Sequence, residues 1–292
     1  MHVTRPLDPT PESLSCPAPA KLNLMLRIVG RREDGYHDLQ TVFQFIDRQD
    51  RLDFKHRHDG RIIITNPLPE VPEQQNLCFR AAKMLQQISG SDSGVELTLH
   101  KILPMGGGLG GGSSDAATTL VALNHLWGLG LGKDQLMEIG RSLGADVPIF
   151  IHGQAAWAEG VGDKMTHIEL PEPWFLVLNP ACHVSTAEVF GQPDLTRNSP
   201  RIKIRAFLEG NSQNDCLTVV RRRYPEVAQA MDWLDQYADA RLTGTGACLF
   251  AEFAERQEAD EVLDRLPNDL TGFVARGLNR SPLLDQFQLE KS

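Results

Sequence analysis

The sequence predicts an α+β fold, in which strands and helices are mixed without the regular alternation of a parallel sheet. Residues 20–28 alternate between polar and apolar side chains, as strands do. Residues 95–99 are also strand-like, and a glycine-rich loop separates them from a segment with helical apolar spacing. The second half mixes both kinds of segment again, and no internal repeat is visible.

The first hundred residues are predicted to form mainly strands. Residues 20–28 place Lys21, Asn23, Met25 and Arg27 on one face and apolar side chains on the other, which is typical of a half-buried strand. A turn is predicted at residues 31–35. Further strands are predicted at residues 39–46, 51–54, 61–65 and 95–99, with a helix that opens at residues 75–77 and closes at Gly90.

The central and C-terminal segments add helices, a hairpin and further strands. Because a proline disfavours the α region for the residue before it, Pro148 is expected to hold Val147 outside a helix, with Asp146 at a sharp junction. Residues 154–159 and 165–170 flank a glycine-containing turn and predict a hairpin. Helices are predicted at residues 133–143, 186–190, 217–237 with a break near Pro225, and 258–266, and strands at residues 174–178, 247–253 and 272–275.

The chain length of 292 residues allows one large or two ordinary globular domains. The segment Pro171-Glu172-Pro173 is the best candidate boundary, because X-Pro pairs are stiff. We therefore predict an N-terminal domain at residues 15–171 and a C-terminal domain at residues 172–292. Residues 1–14 are expected to be a disordered leader, since they lack the apolar centre of a signal peptide.

Charge and composition argue against several classes of function. The net charge of −9 disfavours a nucleic-acid binder, and no apolar run is long enough to span a membrane. The five scattered cysteines indicate reduced thiols in a cytoplasmic protein. His56 and His58 belong to no H-E-x-x-H motif, so a transition-metal centre is not expected.

The glycine-rich loop is the strongest functional signal in the chain. Six of the seven residues from Gly106 to Gly112 are glycine, which suits a backbone that approaches something closely. The apolar spacing from Ala116 to Trp127 predicts a helix after the loop, and Gly128 ends it. A glycine loop that leads into a helix N-terminus predicts a phosphate site, whereas a flexible linker rarely leads directly into an amphipathic helix.

Two familiar phosphate-binding patterns do not fit this loop. The glycines match G-x-G-x-x-G, but Leu131 and its immediate neighbours, where a dinucleotide site would have an acidic residue, include none. A Walker loop needs a lysine before its hydroxyl residue, and Gly112-Ser113-Ser114 has none. Positive charge must come from elsewhere, and Lys101, just before the loop, is the candidate.

Three segments together resemble the three motifs of the GHMP kinase superfamily. They are Pro17-Ala-Pro-Ala-Lys-Leu-Asn-Leu24, the loop region from Leu103 to Asp115, and Leu242-Thr-Gly-Thr-Gly-Ala-Cys248. Asp34-Gly-Tyr-His37 and Gly144-Ala-Asp-Val-Pro148 narrow the resemblance to its members that use ATP to phosphorylate a hydroxyl of a CDP-linked sugar alcohol, in the non-mevalonate route to isoprenoids.

The resemblance implies a two-lobed fold whose N-terminal lobe is like the second domain of ribosomal protein S5, with the active site between the lobes. ATP and Mg²⁺ are the implied cofactors. Asp146 matches the catalytic carboxylate, although an aspartate beside a proline turn is often a helix cap. Lys21 matches the catalytic lysine, with an exposed strand lysine as the alternative.

The implied ATP site comprises the glycine loop and its neighbours. Either Ser113 or Ser114 is expected to contact phosphate or Mg²⁺, and Asn76 matches an adenine contact but could also be a helix N-cap. The predicted ATP-binding residues are Asn76, Lys101, Pro104, Met105, Gly106, Gly107, Gly108, Leu109, Gly110, Gly111, Gly112, Ser113 and Ser114.

The implied substrate site includes a cytidine pocket. Tyr36 and Phe190 are expected to stack on the base, and His37 to contact its edge. Thr186 lies one helical turn before Phe190, and residues 243–246 are expected to close the cleft against phosphates or the glycine loop. The predicted substrate-binding residues are Asn23, Tyr36, His37, Thr186, Phe190, Thr243 and Gly244.

Other functions remain open at this point. A related kinase for homoserine or mevalonate is the first alternative, although the segment at residues 34–37 favours the cytidine substrate. A non-catalytic ligand sensor is disfavoured because Lys21 and Asp146 are both present, and a dehydrogenase fits least well. The expected partner is a small molecule, without nucleic acid or membrane, and the expected assembly is a monomer or a weak homodimer.

Overall fold

The computed structural model describes residues 11–33 and 35–287. Two long antiparallel strands dominate the N-terminal half, β1 (Ser13–Arg31) and β2 (His37–Arg57). Because their pairing starts at Ser13 with Lys55, the last residues of the predicted disordered leader are strand, which corrects that prediction at its C-terminal end. Residues 1–10 of the predicted leader lie outside the described residues.

The polar face of β1 is buried, so the prediction of a half-buried strand was wrong. Lys21, Asn23 and Arg27 are each at most 5% exposed. Distant segments cover this face: the Lys21 N–H donates to the Leu109 carbonyl, and the Asn23 N–H donates to the Thr243 hydroxyl. The alternation of side chains was correct, but periodicity does not reveal what packs on each face.

The helices and strands of the N-terminal half agree closely with the sequence pattern. Asn76 caps the helix α1 and Gly90 ends it in the left-handed conformation, as predicted. The two strands predicted at residues 39–46 and 51–54 are one continuous strand, β2. The remaining elements are β3 (Ile62–Ile64), a 3₁₀ turn (Glu73–Gln75), α1 (Leu77–Ser89), β4 (Gly94–His100), α2 (Gly111–Leu126), α3 (Lys133–Leu143), α4 (Val147–His152), β5 (Ala156–Gly160) and β6 (Lys164–His167).

Val147 is the first residue of α4, which corrects the prediction that Pro148 would hold it outside a helix. A proline is tolerated in the first turn of a helix, because the N–H groups there have no partner within the helix. The helix therefore begins directly after Asp146, which occupies the N-cap position.

The C-terminal half contributes three longer strands and several helices. The predicted break near Pro225 is confirmed, since one helix ends at Arg223 and the next begins at Pro225. The elements are β7 (Trp174–Asn179), α5 (Thr186–Gly191), α6 (Ile204–Leu208), α7 (Leu217–Arg223), α8 (Pro225–Leu234), β8 (Arg241–Leu242), β9 (Leu249–Phe253), α9 (Arg256–Leu263), β10 (Thr271–Leu278) and α10 (Pro282–Phe287).

One ten-stranded sheet runs through both halves, in the order β3-β4-β2-β10-β7-β9-β8. Strands β1 and β5 also pair with β2, and β6 pairs with β5. Strand β10 joins the halves, because it pairs with β7 along most of its length and with β2 at Gly277 and Leu278. The predicted α+β class is confirmed, whereas the boundary at residues 171–172 stays a prediction.

The apolar core has three parts. One packs α1–α4 on β2 and β4, and a second packs α5 and α7–α9 on β7 and β9. The third lies between them and contains Leu22, Leu109, Phe175 and Phe250. Within the described ranges, no helix combines the length and the apolar character that a membrane crossing requires.

Candidate active site

Two adjoining cavities share a wall in the centre of the molecule. The larger has a volume of about 500 Å³ and lies between the glycine loop, α1 and the chain before α5. The smaller, of about 300 Å³, lies over the polar residues of β1. Residues that line both cavities are Gly108, Ser113, Asp146, Thr186 and Thr245.

The Lys21 side chain lies at the junction of the two cavities and is buried. Its Nζ donates to Asn23 Oδ1 at 2.5 Å and to the Gly108 carbonyl at 2.9 Å. The same Nζ lies 3.2 Å from Asp146 Oδ2. An ammonium has three N–H donors, and these three acceptors match them. The exposed-lysine alternative is therefore wrong.

The carboxylate of Asp146 faces the cavities and is 38% exposed. Asp146 occupies the N-cap position of α4, but its side chain makes no capping hydrogen bond. The capping alternative thus describes its backbone position and leaves the carboxylate available for chemistry.

The glycine loop is packed against protein on one side, which revises the reason for its glycines. Gly108 has φ +77°, and a Cβ there would lie 2.4 Å from the Thr243 carbonyl oxygen. A Cβ on Gly107 would lie 2.6 Å from Cys248 Sγ, and one on Gly110 would lie 2.7 Å from Phe150 Cζ. Gly107 and Gly108 thus permit close contact with the C-terminal half of the chain, and Gly110 permits close contact with α4.

Residues 243–246 close against the glycine loop, which was one of the two arrangements expected. Thr243 is fully buried and accepts a hydrogen bond from the Asn23 N–H at 2.9 Å. The residues that reach the cavities are instead Gly244, Thr245 and Gly246. The Thr245 hydroxyl lies 2.9 Å from that of Thr186, on the shared wall.

The first turn of α2 borders the larger cavity. Gly110 is its N-cap and has no side chain with which to cap the helix, so first-turn N–H groups are available to an anion. Ser113 faces both cavities, whereas Ser114 is fully buried and its Oγ has no partner among the described residues. Pro104 and Met105 line the cavity, but the Leu109 side chain packs in the core.

Asn76 caps α1 and also faces the larger cavity, so its position is compatible with both of the roles that the sequence left open. Its Oδ1 accepts a hydrogen bond from the Cys78 N–H at 2.9 Å, which makes it the N-cap of α1. It also lines the larger cavity. The apolar residues Leu68, Val71 and Leu77 line that cavity too, which gives a ligand an apolar surface beside a polar amide.

Lys101 lines the larger cavity, but it does not offer the free cation that the sequence suggested. Its Nζ is bonded to the carboxylates of Asp50 and Asp115. Burial alone would lower the pKa of Lys101, but Asp115 and Asp50 outweigh burial and raise it. Its charge is thus already matched inside the protein, and it anchors the chain around the loop.

Asp115 is the unusual member of this buried group. Burial raises the pKa of its carboxyl to about 7, although the Lys101 ammonium opposes that rise. Its Oδ1 is buried and has no hydrogen-bond partner among the described residues. Two carboxylates therefore share one ammonium beneath the first turn of α2.

Of the residues expected to form the cytidine pocket, Phe190 lines the smaller cavity, whereas His37 and Tyr36 do not line it. The His37 and Phe190 rings are stacked with centroids 5.0 Å apart, and Phe190 lines the cavity. Tyr36 is 63% exposed. Burial, Arg197 and Arg31 lower the pKa of His37, in that order, so its imidazole is neutral at physiological pH. Asp34, in the same motif, lies outside the described residues.

Sequence reasoning missed two residues at the site. His183 lines the larger cavity and would lie 2.7 Å from a Cβ on Gly106, and Arg197 contacts His37. Thr245, within the range 243–246 that was expected to close the cleft, lies on the shared wall. His183 and Arg197 lie in connecting segments with no local signal, and only tertiary packing brings them to the site.

Comparison with family models gives a match in each half of the chain. The GHMP kinases N terminal domain matches residues 76–154, and the GHMP kinases C terminal domain matches residues 196–271. The first match contains the glycine loop and Asp146, and the second contains the segment that closes on the loop.

Close relatives carry one name. The chain is 57% identical over 280 residues to the 4-diphosphocytidyl-2-C-methyl-D-erythritol kinase of Ectopseudomonas mendocina, covering 96% of each chain. It is 57% identical over 270 residues to the protein of the same name from Pseudomonas paraeruginosa, covering 92% of this chain and 96% of the relative.

Solved structures agree with the family models. A crystal structure of 4-(cytidine 5'-diphospho)-2C-methyl-D-erythritol kinase superposes with a TM-score of 0.80 at 30% identity, covering 90% of this chain and 99% of that one. A mevalonate kinase structure superposes with a TM-score of 0.67 at 16% identity, covering 91% and 100%, and supports the fold alone. The fold expected from the motifs is thereby confirmed, and the chain belongs to the GHMP kinases.

Proposed function

We propose that this protein uses ATP to phosphorylate a hydroxyl of 4-diphosphocytidyl-2-C-methyl-D-erythritol, a step in isoprenoid precursor synthesis. The observation that carries the proposal is the shared wall of the two cavities, with Asp146 on it and Lys21 beneath it. Phosphoryl transfer needs a donor and an acceptor in line, and two cavities that meet at a carboxylate provide that arrangement. The names of the relatives support the choice of substrate.

The larger cavity fits ATP. Its apolar surface beside Asn76 suits an adenine ring, and the uncapped first turn of α2 suits phosphates. Oxygen ligands are the ones Mg²⁺ prefers, and Ser113 offers a hydroxyl at the shared wall. When bound with ATP, Mg²⁺ neutralises charge on the phosphates.

Asp146 and Lys21 act on the acceptor hydroxyl in this proposal. The Asp146 carboxylate orients the hydroxyl towards the larger cavity and accepts its proton. Lys21 pairs with the carboxylate and stabilises negative charge on the attacking oxygen, and burial makes its charge effective. Asn23 and the Gly108 carbonyl hold the lysine in place.

The smaller cavity receives the sugar alcohol and leads to the cytidine pocket. Thr186, Gly244 and Thr245 line it with hydroxyl and backbone groups that suit a polar substrate. Phe190 and the exposed Tyr36 provide aromatic faces for a base, and His37 provides a ring nitrogen for its edge. A homoserine or mevalonate substrate needs no base pocket.

The decisive experiment supplies the purified protein with ATP, Mg²⁺ and one alcohol at a time: the CDP-linked methylerythritol, mevalonate or homoserine. We expect ADP and a product heavier by one phosphoryl group only with the CDP-linked compound, and no product after chelation of Mg²⁺. Turnover of mevalonate or homoserine alone would transfer the proposal to that substrate. Absence of ADP with every alcohol would support the non-catalytic sensor.

We also propose a cytoplasmic location and an oligomeric state for the protein. A nucleotide-dependent kinase of this kind acts in the cytoplasm, and the cysteines of the described residues are all free, four of them buried. We propose a monomer or a weak homodimer. Sedimentation at several protein concentrations tests the assembly.

A further inference from the structure

We infer that Arg197 is a positioning residue that fixes the ring tautomer of His37 and thereby makes the base pocket select cytosine over uracil. The inference rests on the proposed function for its substrate, but its structural part does not. Arg197 was not among the residues found from the sequence, and it lines neither cavity.

The hydrogen bond between the two side chains defines the tautomer. Arg197 Nε lies 3.2 Å from His37 Nε2. A guanidinium can only donate hydrogen bonds, so His37 Nε2 must accept and carry no proton. In a neutral imidazole the proton is then on Nδ1, which becomes the donor that the ring can offer to a ligand.

The Arg197 guanidinium is itself held in place. It donates to the carbonyls of Phe190 at 2.8 Å, Gln192 at 2.6 Å and Leu195 at 3.1 Å. These carbonyls lie at and just after the end of α5, the helix that carries Phe190. One arginine thus ties His37 to the segment that carries its stacking partner, and it cannot turn away without losing three hydrogen bonds.

Charge around His37 favours the neutral ring. Arg197 and Arg31 both act to lower its pKa, in addition to burial. The nearby carboxylate of Asp38 forms an ion pair with Arg32 at 3.9 Å, so its negative charge is partly balanced. A neutral ring with a fixed tautomer presents one donor and no acceptor to a base, whereas a charged ring would lose the bond to Arg197.

Cytosine and uracil differ at the atom that such a donor would meet. Ring nitrogen N3 is an acceptor in cytosine and an N–H donor in uracil. An Nδ1–H donor therefore bonds to cytosine and opposes uracil, leaving two buried donors facing each other. A site built around one hydrogen bond discriminates strongly against the analogue that cannot make it.

The test compares Arg197→Met and Arg197→Lys with the control Arg201→Met, which removes an exposed arginine paired with Glu159. Nitrogen NMR of histidine-labelled protein reports the tautomer of His37 without any substrate. We expect the Nδ1–H form in the wild type and the control, a mixture in Arg197→Met, and partial recovery in Arg197→Lys. An Nε2–H ring in the wild type would overturn the inference, whether or not the variants fold.

The second arm measures kcat/KM for the CDP-linked substrate and its UDP-linked analogue. We expect Arg197→Met to reduce the preference for cytidine by roughly tenfold to a hundredfold, the effect of one misplaced hydrogen bond, with a smaller change in kcat. An unchanged preference in folded Arg197→Met would contradict the specificity role. If the wild type phosphorylates neither compound, the proposed function fails, while the NMR result still decides the tautomer.

A second cluster of ligating side chains lies away from both cavities, near the paired ends of β1 and β2. We propose that Glu12, His56 and His58 bind a divalent transition-metal ion such as Zn²⁺. Their ligand atoms all lie within 4.8 Å of one another. His56 is near the end of β2 and His58 is the residue directly after the strand, and their ring centroids lie 4.5 Å apart.

The fold prepares this cluster in two ways. The Glu12 carbonyl accepts a hydrogen bond from the His56 N–H at 2.9 Å, which fixes the glutamate beside the histidines. His56 Nε2 is buried without a hydrogen-bond partner in the described part of the chain. The neighbouring Arg57 is paired with Asp59 and Glu96, so its charge is already matched. Two imidazoles and a carboxylate suit Zn²⁺, with a fourth position for water.

Calorimetric titration of the chelator-treated protein with ZnCl₂ tests the site. We expect one binding event that the His56→Ala/His58→Ala double variant weakens by at least about tenfold. The control is His100→Ala, which removes another exposed histidine beside a carboxylate, Asp53. Absence of binding in the wild type, equal binding in the double variant, or loss of binding in the control would overturn the proposal.

Discussion

Lys21 and Asp146 lie 3.2 Å apart at the junction of the two cavities, although they come from the first strand and the cap of α4. The lysine is buried and fully hydrogen-bonded, whereas the carboxylate is partly exposed. This asymmetry suits a fixed cation that supports a reactive carboxylate. It also separates the effects expected from changing each residue.

Replacing Asp146 by Asn should reduce kcat on the order of 10²–10⁴, the range for a positioned acid–base group. The affinity for ATP should change little, because the amide keeps the shape of the side chain. The melting temperature should also hold, since the carboxylate makes no capping bond. Steady-state kinetics measures kcat, and thermal unfolding measures the melting temperature. Near-normal turnover by folded Asp146→Asn would rule out the proposed role of the carboxylate.

Lys21→Met should lower both activity and stability. In the variant, Asn23 Oδ1 and the Gly108 carbonyl oxygen lose their hydrogen-bond donor. Each buried acceptor left unpaired lowers the free energy of unfolding by about 1–3 kcal/mol. Lys21→Arg should not restore activity, because a Cβ at Gly110 would already be only 3.1 Å from Lys21 Cε. Urea unfolding with kinetics tests this, and full activity in Lys21→Arg would contradict it.

Gly108→Val should destabilise the protein and abolish ATP binding. The added Cβ would lie 2.4 Å from the Thr243 carbonyl oxygen, and φ +77° disfavours a β-branched residue. Gly112→Ala is the matched control, since a Cβ there meets only Leu77 Cδ1 at 3.7 Å. Calorimetry with ATP and thermal unfolding distinguish the two, and unaltered ATP affinity in Gly108→Val would place the phosphate site elsewhere.

Asp115 should make the free energy of unfolding fall as the pH rises. Burial raises its pKa from 3.8 to about 7, so its contribution is present below 3.8 and is lost as the pH rises through 7. Asp115→Asn should remove this dependence between those values. Urea unfolding at several pH values measures it, and an identical pH profile in the variant would contradict the raised pKa of Asp115.

Tyr36→Ala should weaken binding of the CDP-linked substrate roughly tenfold to a hundredfold, since stacking on a base contributes ~1–3 kcal/mol. Affinity for ATP should be unchanged, and so should stability, because the side chain is 63% exposed. The control substrate is methylerythritol phosphate without cytidine. If the wild type phosphorylates both compounds equally well, the cytidine pocket does not exist and the related-kinase alternative gains support.

Local signals in the sequence determined the elements and most of the motif residues at the site. Asn76 and Gly90 bound α1, and residues 133–143 form the predicted helix, because caps and apolar spacing act within one or two turns. The motifs identified Lys21, Asp146 and Ser113 as site residues, and in the structure all three line the smaller cavity. Thr243, Ser114 and Leu109, found the same way, face the interior.

Tertiary structure alone decided which faces are covered and which charges are free. The polar face of β1 is buried because segments far along the chain pack on it, and Lys101 is neutralised because Asp50 and Asp115 converge on it. His183 and Arg197 reach the site through connections with no periodicity. Burial and electrostatics depend on contacts between residues distant in sequence, whereas periodicity and capping depend only on near neighbours.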